Sequence, residues 1–241
     1  TGIEGFTALT NLICSYNDLT SLDVSSNTAL THLECHENEL ASLDVSNNTA
    51  LTFLKCRSNN QLTSLNLINN SALTYLSANN MALTTLDVSN NTLLNMLDLG
   101  GNQLTSLDLT NNTALTTLSC STNQLTSLNL SANTALTGLQ CAANQLTSLD
   151  VSNNIALTLL WPFSNLLTSL DVSSNTALTS LWCNANQLTS LDVSSNIALT
   201  SLYVYDNQLI HLNMKNGVTD ALTDFNATNN SLDCIEVNEE D

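Results

Sequence analysis

Apolar residues return along this chain with two superposed rhythms. Over short stretches they alternate with polar ones, as in LTSLWC at 178–183, the signature of a strand with one buried face. Over long stretches the whole phrase recurs. Its opening leucines are Leu9, Leu30, Leu51, Leu73, Leu94, Leu115, Leu136, Leu157, Leu178, Leu199 and Leu222, spaced by 21 residues except for 22 after Leu51 and 23 after Leu199. The extra residue lies in Asn59-Asn60-Gln61 and the extra two around Asn216-Gly217-Val218. A turn of 21 residues, with one extended segment in L-x-x-L-x-C-x-x-N-x-L and another in L-T-S-L-D-V-S-x-N, leaves little room for a helix. The pattern predicts a mainly β solenoid of about eleven turns, with parallel strands on one face and few or no helices. One turn cannot bury its leucine face alone; stacking the turns does.

Polar residues at the corners obey the same period. Asn17, Asn38, Asn102, Asn123, Asn144, Asn165, Asn186 and Asn207 form one column, and a second runs from Asn27 to Asn196. An asparagine side chain both donates and accepts, so each column can satisfy backbone groups at a buried bend. Met81 stands where the fourth turn should have asparagine, which predicts a local irregularity. Six of the seven cysteines, Cys14, Cys35, Cys56, Cys120, Cys141 and Cys183, share a column that Ala78, Leu99, Pro162, Val204 and Ala227 fill elsewhere. Those substitutes are apolar, so the cysteines read as small buried hydrophobes, not metal ligands. Cys234 falls in an outward column and is the candidate for pairing beyond the repeat.

These phrases, NQLTSLDVSxNTALTxLxC in particular, resemble the leucine-rich repeat family, and within it the bacterial 21-residue class with a cysteine column, as in internalin-J-like and Bacteroidetes-type surface proteins. The resemblance implies a secreted or cell-surface, non-catalytic module that binds another macromolecule on its strand surface, concave in the family. Ile3 enters at the end of a preceding half-turn and CIEVNEED follows the last recognisable turn, so the expectation is one leucine-rich-repeat domain over 1–241, cut from a longer modular protein.

Charge narrows the partners. With 3 basic against 21 acidic residues the net charge is −18, which argues against nucleic acid and against an anionic membrane surface. No apolar run approaches the ~18 residues of a membrane span. No nucleophile–base constellation, phosphate-binding glycine loop or zinc motif occurs, so neither an enzyme nor a cofactor is expected. His211 has no evident partner in the sequence.

In a repeat protein, chemistry belongs in the columns that packing leaves free to vary. Eight of the ten aromatic residues fall on the first strand and the residues after it, as do Lys55, Arg57, His32 and His36. Two patches result. Trp161, Trp182 and Tyr203 share a column, flanked by Phe163 and Tyr205; they form either a cross-strand ladder that stabilises the sheet or an exposed strip for a protein or sugar ligand. His32, Glu34 and His36 lie on one strand beside Phe53, Lys55 and Arg57 on the next, pairing Glu34 with Lys55 and His36 with Arg57. That patch reads as solvated ion pairs or a ligand contact; two histidines four residues apart on a strand, ~13 Å, are too far to share a metal. An acidic column from Asp23 to Asp192 should accept hydrogen bonds from Ser, Thr or backbone groups, with calcium bridging as the alternative. The leading expectation is a protein ligand on the strand surface, with polysaccharide binding on the aromatic strip or a structural spacer as alternatives.

Overall fold

The computed structural model describes residues 2–217 and 221–238. It is a parallel-strand β-solenoid of about eleven turns, and among the described residues its helical content is the 3-10 turn Ile3–Gly5 and the 3-10 residue Ala221. Every strand is three residues long. On the first half-turn they are β1 (Asn11–Ile13), β2 (His32–Glu34), β3 (Phe53–Lys55), β4 (Tyr75–Ser77), β5 (Met96–Asp98), β6 (Thr117–Ser119), β7 (Gly138–Gln140), β8 (Leu159–Trp161), β9 (Ser180–Trp182), β11 (Ser201–Tyr203) and β13 (Asp224–Asn226). On the second half-turn, among the described residues, only β10 (Ser190–Asp192), β12 (His211–Asn213) and β14 (Cys234–Glu236) form a hydrogen-bonded ladder.

The residues group into two compact units, one of 1–115 with 119–124 and one of 116–118 with 125–241. In the first unit β1 to β5 pair in sequence order, in register, so that His32 faces Phe53 and Phe53 faces Tyr75. In the second, β7, β8, β9, β11 and β13 do the same, beside the β10–β12–β14 ladder. In-register stacking follows from the two-residue alternation along each strand: shifting one turn by a residue would turn its leucines outward. The middle residue of each inner strand, such as Leu33, Leu54, Leu160 or Leu181, is fully buried.

Corner side chains replace the backbone pairing that such short strands lack. In the first column the Asn38 amide donates to the carbonyls of Cys14 and Cys35, while its oxygen accepts the Leu19 N–H. In the second the Asn48 amide donates to the Val24 and Asn27 carbonyls. A threonine ladder adds to these, for example Thr52 Oγ1 donating to the Thr31 carbonyl.

The irregularity expected at Met81 is present and is coupled to the insertion before it. Asn59 holds the corner slot, its amide on the Cys35 and Cys56 carbonyls. The added residue lets the Leu62 N–H bond the Asn59 carbonyl at 2.9 Å. In regular turns that N–H needs the asparagine oxygen of the next turn. Here it does not, and the next turn carries the buried Met81 instead. The second insertion, around Asn216, Gly217 and Val218, lies partly outside the described residues.

One residue per turn, between the cysteine column and the asparagine, adopts a left-handed backbone. It is usually not glycine: φ is 55° at Glu37, 51° at Ala143 and 52° at Ala185. Gly101 holds the position once, and a Cβ there would run into the Asn80 amide.

Candidate ligand-binding surface

In the first unit the residue pattern on β2 and β3 produces a ring column ringed by charge. The His32 and Phe53 rings stack at 4.2 Å and the Phe53 and Tyr75 rings at 4.1 Å, nearly parallel in both cases. Tyr75, the register partner of Phe53 on β4, extends the patch by one ring. Glu34 is the hub beside it. Its carboxylate meets His32 Nε2 at 3.0 Å, Lys55 Nζ at 3.4 Å and His36 Nδ1 at 3.6 Å. Burial raises the Glu34 pKa, but the His32 hydrogen bond and the Lys55 charge outweigh it and hold the carboxyl below its ordinary value.

Two expectations about this patch need correction. His36 is not outward: it is 3% exposed, hydrogen-bonded to Ser15 at 2.7 Å and packed edge-on against Tyr16. Burial lowers its pKa first, and the neighbouring Lys55 and Arg57 charges lower it further. Arg57 does not pair with His36; its guanidinium lies 2.8 Å from Glu37. Glu37 occupies the left-handed position of its turn, which carries its side chain toward the next rung, a geometry the alternating pattern does not announce.

In the second unit Trp161 and Trp182 stack at 4.1 Å with planes 8° apart. Tyr203 meets Trp182 edge-on at 5.2 Å, and Phe163 and Tyr205 lie 6.4 and 6.3 Å from Trp182 and Tyr203 respectively. Each indole N–H crosses one rung to a serine, Trp161 to Ser180 and Trp182 to Ser201, both at 3.0 Å. All five aromatic residues are half-buried. Pro162 follows β8 at the cysteine column. Elsewhere that column's N–H donates to the next turn, as Cys183 does to the Tyr203 carbonyl. Proline has no such donor.

The column itself is as read. Cys35, Cys56, Cys120, Cys141 and Cys183 are buried thiols, Cys14 is half-buried, and Cys234 is exposed. Burial pushes Cys56, Cys120 and Cys183 up to about 12, so these thiols are inert at neutral pH. No protein-family model and no curated protein sequence matches the chain. Among solved structures it is similar to the functional domain of InlJ from Listeria monocytogenes, which includes a cysteine ladder, at 42% identity and a TM-score of 0.89 over 98% of this chain. The chain is a leucine-rich repeat solenoid with a cysteine ladder. It spans half the length of the InlJ chain. An internalin, InlF, also of Listeria monocytogenes, shares the fold at 24% identity and a TM-score of 0.85, over 98% of this chain and 75% of that one. The leucine-rich repeat ectodomain of a plant membrane receptor kinase from Arabidopsis thaliana, solved in complex with Casparian strip integrity factor 2, matches at 25% identity and a TM-score of 0.78, over 87% of this chain and 28% of that one.

Within this leucine-rich repeat the acidic column is engaged as expected. The Ser25 N–H donates to Asp23 at 3.0 Å and the Ser46 N–H to Asp44 at 2.9 Å. Hydrogen bonds from the Ser25 and Ser46 side chains, then from their backbones, lower both carboxyl pKa values. Shallow clefts run between these carboxylates, one of them lined by Asp171 and Asp192. Among the described residues no group of three or more His, Cys, Asp or Glu is placed to hold a metal ion. His211, without a partner in the sequence reading, sits 2.6 Å from Glu236, which also pairs with Lys215 at 2.8 Å.

Proposed function

We propose that this solenoid is a non-catalytic recognition module, secreted or displayed at a cell surface, that binds a protein ligand on its strand face. The observation that carries the reading is the placement of the rings. Trp161, Trp182 and Tyr203 occupy a position where Ser119 and Gln140 stand in two preceding turns, so packing does not demand them. Large half-buried aromatic side chains on a rigid sheet lose little entropy on binding and are favoured anchors at interfaces. The neighbours are in keeping with this. Internalins are among them, and the plant ectodomain was solved with a bound factor. The His32, Glu34, His36, Phe53, Lys55 and Arg57 cluster is the second candidate surface.

Selection of a random 12-residue peptide display library on the folded chain tests the proposal. Enriched peptides should bind the parent and lose binding to a Trp161→Ala/Trp182→Ala variant that keeps the parent's circular dichroism. Peptides that bind both proteins equally would reduce the tryptophan pair to a stabilising ladder and move the search to the His32–Arg57 cluster. A library that yields no binder, together with retention of an oligosaccharide on a glycan array, would replace the protein ligand by a polysaccharide.

A further inference from the structure

The second unit combines strong acidity with an uncharged face. Residues 125–241 hold eleven acidic side chains and one basic one. Yet the outward positions of β7, β8, β9 and β11 and the residues just after the cysteine column, from Gly138 to Tyr205, carry no charge at all. The ring contacts within this face are unequal. Trp182 has Trp161 stacked on one side and the Tyr203 edge on the other. Trp161 has a ring partner on one side alone among the described residues. On its other side the preceding rung presents Gln140 in the same column and Gly138 at the start of the strand. A Cβ built on Gly138 would find its nearest neighbour, Thr117, at 3.9 Å, so this is a notch and not a packed glycine site.

An indole face with no ring stacked on it, beside a notch and set in a strongly negative field, favours one ligand chemistry. A tryptophan face attracts cations, and among them guanidinium is weakly hydrated and planar enough to lie flat on it. Negative potential around the face draws a basic partner in, while the uncharged contact area spares both sides the burial of an unpaired carboxylate. Asp206 and Asp224, exposed at the edge of the strip, can receive further basic residues. We infer that the Trp161–Trp182–Tyr203 strip recognises a basic segment of another protein, whose anchor arginine lies in the Gly138 notch against the face of Trp161 that stacks on no ring. This rests on the protein-ligand reading above and names the partner's chemistry.

The test uses the peptides selected from the display library. Those that depend on the tryptophan pair should be enriched in arginine, and replacing the anchor arginine by citrulline, its neutral isostere, should weaken binding about tenfold or more. Raising salt from low to high should weaken it as well. Two variants probe the notch from the protein side. Trp161→Ala should lose affinity by a similar factor, and Gly138→Leu, which fills the notch and leaves every ring in place, should do the same with unchanged circular dichroism. Selected peptides that tolerate citrulline, or bind Gly138→Leu as well as the parent, would overturn the arginine anchor while leaving protein recognition standing. Failure to select any peptide would remove both.

Discussion

The His32–Phe53–Tyr75 column and the Trp161–Trp182–Tyr203 column are built on the same three-residue strands, and the repeat brings their rings to almost the same separation, 4.1–4.2 Å for the stacked pairs. Their surroundings differ. In the first unit the rings stand among ionic groups that satisfy one another: Glu34 takes His32, Lys55 and His36, and Glu37 takes Arg57. In the second the rings stand among serines, and the indole N–H groups are tied to Ser180 and Ser201. The period therefore brings successive rings of a column into contact, face to face in three pairs and edge-on between Trp182 and Tyr203. What a column can offer a partner depends on whether its polar neighbours are already consumed by each other. The first column is closed in this sense, and the second leaves one indole face without a ring partner among the described residues.

The largest expected effect breaks either column from beneath. Leu54 and Leu181, fully buried, lie behind Phe53 and Trp182. Leu54→Asp or Leu181→Asp puts a carboxylate where no partner exists, at a cost of about 4 kcal/mol or more. Thermal unfolding by circular dichroism should show a pronounced fall in Tm for both, because the leucine scaffold is common to the two regions. A parent-like Tm for either variant would mean that the strand register is wrong there.

A smaller effect separates the columns. Trp182→Ala removes three ring contacts, with Trp161, Phe163 and Tyr203, and the bond to Ser201, whereas Trp161→Ala removes one ring contact and the bond to Ser180. For half-buried rings the losses should be roughly 2–3 and 1–2 kcal/mol, below the range for full burial. Phe53→Ala, flanked on both sides by stacked rings, should resemble Trp182→Ala. Urea unfolding gives the order; equal costs for the two tryptophans would contradict the one-sided stacking of Trp161.

Acidification should distinguish the columns next. The folded pKa of His36 is lowered, so the unfolded chain binds the proton first. That contribution to stability is complete above the ordinary histidine value of about 6.5 and is lost as pH falls through the lowered folded value. Glu34, also lowered, holds its contribution above the ordinary carboxyl value and loses it at lower pH still. Both push the same way. Between pH 7 and pH 5 the parent should lose stability that a His36→Asn variant does not, while a Trp182→Ala variant should keep the parent's pH slope. Parallel slopes for parent and His36→Asn would show that the buried imidazole does not titrate in this window.

The scaffold was legible because it is periodic. The leucine, asparagine, cysteine and aspartate columns follow from counting, and even the disturbance at Met81 could be placed from a missing asparagine. Its cause could not: that an insertion at Asn59–Gln61 frees the Leu62 N–H from needing that asparagine is a three-dimensional fact about two successive turns. Charge pairing was partly legible. Glu34 and Lys55 lie side by side in register, but Arg57 reaches Glu37 because a left-handed residue redirects the side chain. His36 reads as outward by alternation and is buried, with Ser15 and the edge of Tyr16 from the turn before against its ring. The second half-turn reads as one more short extended segment per turn, with the parallel strands on one face, yet among the described residues a second ladder forms at β10, β12 and β14. The pattern of buried positions constrains side chains and leaves backbone pairing free.

The smallest expected effect tests whether the two columns share their backbone mechanics. Each is followed by a residue held left-handed, Ser58 after β3 and Ala185 after β9, with φ of 54° and 52°. A non-glycine residue there costs about 1–2 kcal/mol, and glycine would recover that while giving up roughly 0.5–1 kcal/mol of chain entropy. Ser58→Gly and Ala185→Gly should therefore each stabilise by no more than about 1 kcal/mol, read as a small rise in urea midpoint at constant slope. Equal gains would show that the turns are interchangeable and that the contrast between the columns lies in their side chains. A gain at Ala185 with a loss at Ser58 would mean that the strained turn in the ionic region is held by its own side-chain contacts. The closed character of the first column would then extend into its backbone.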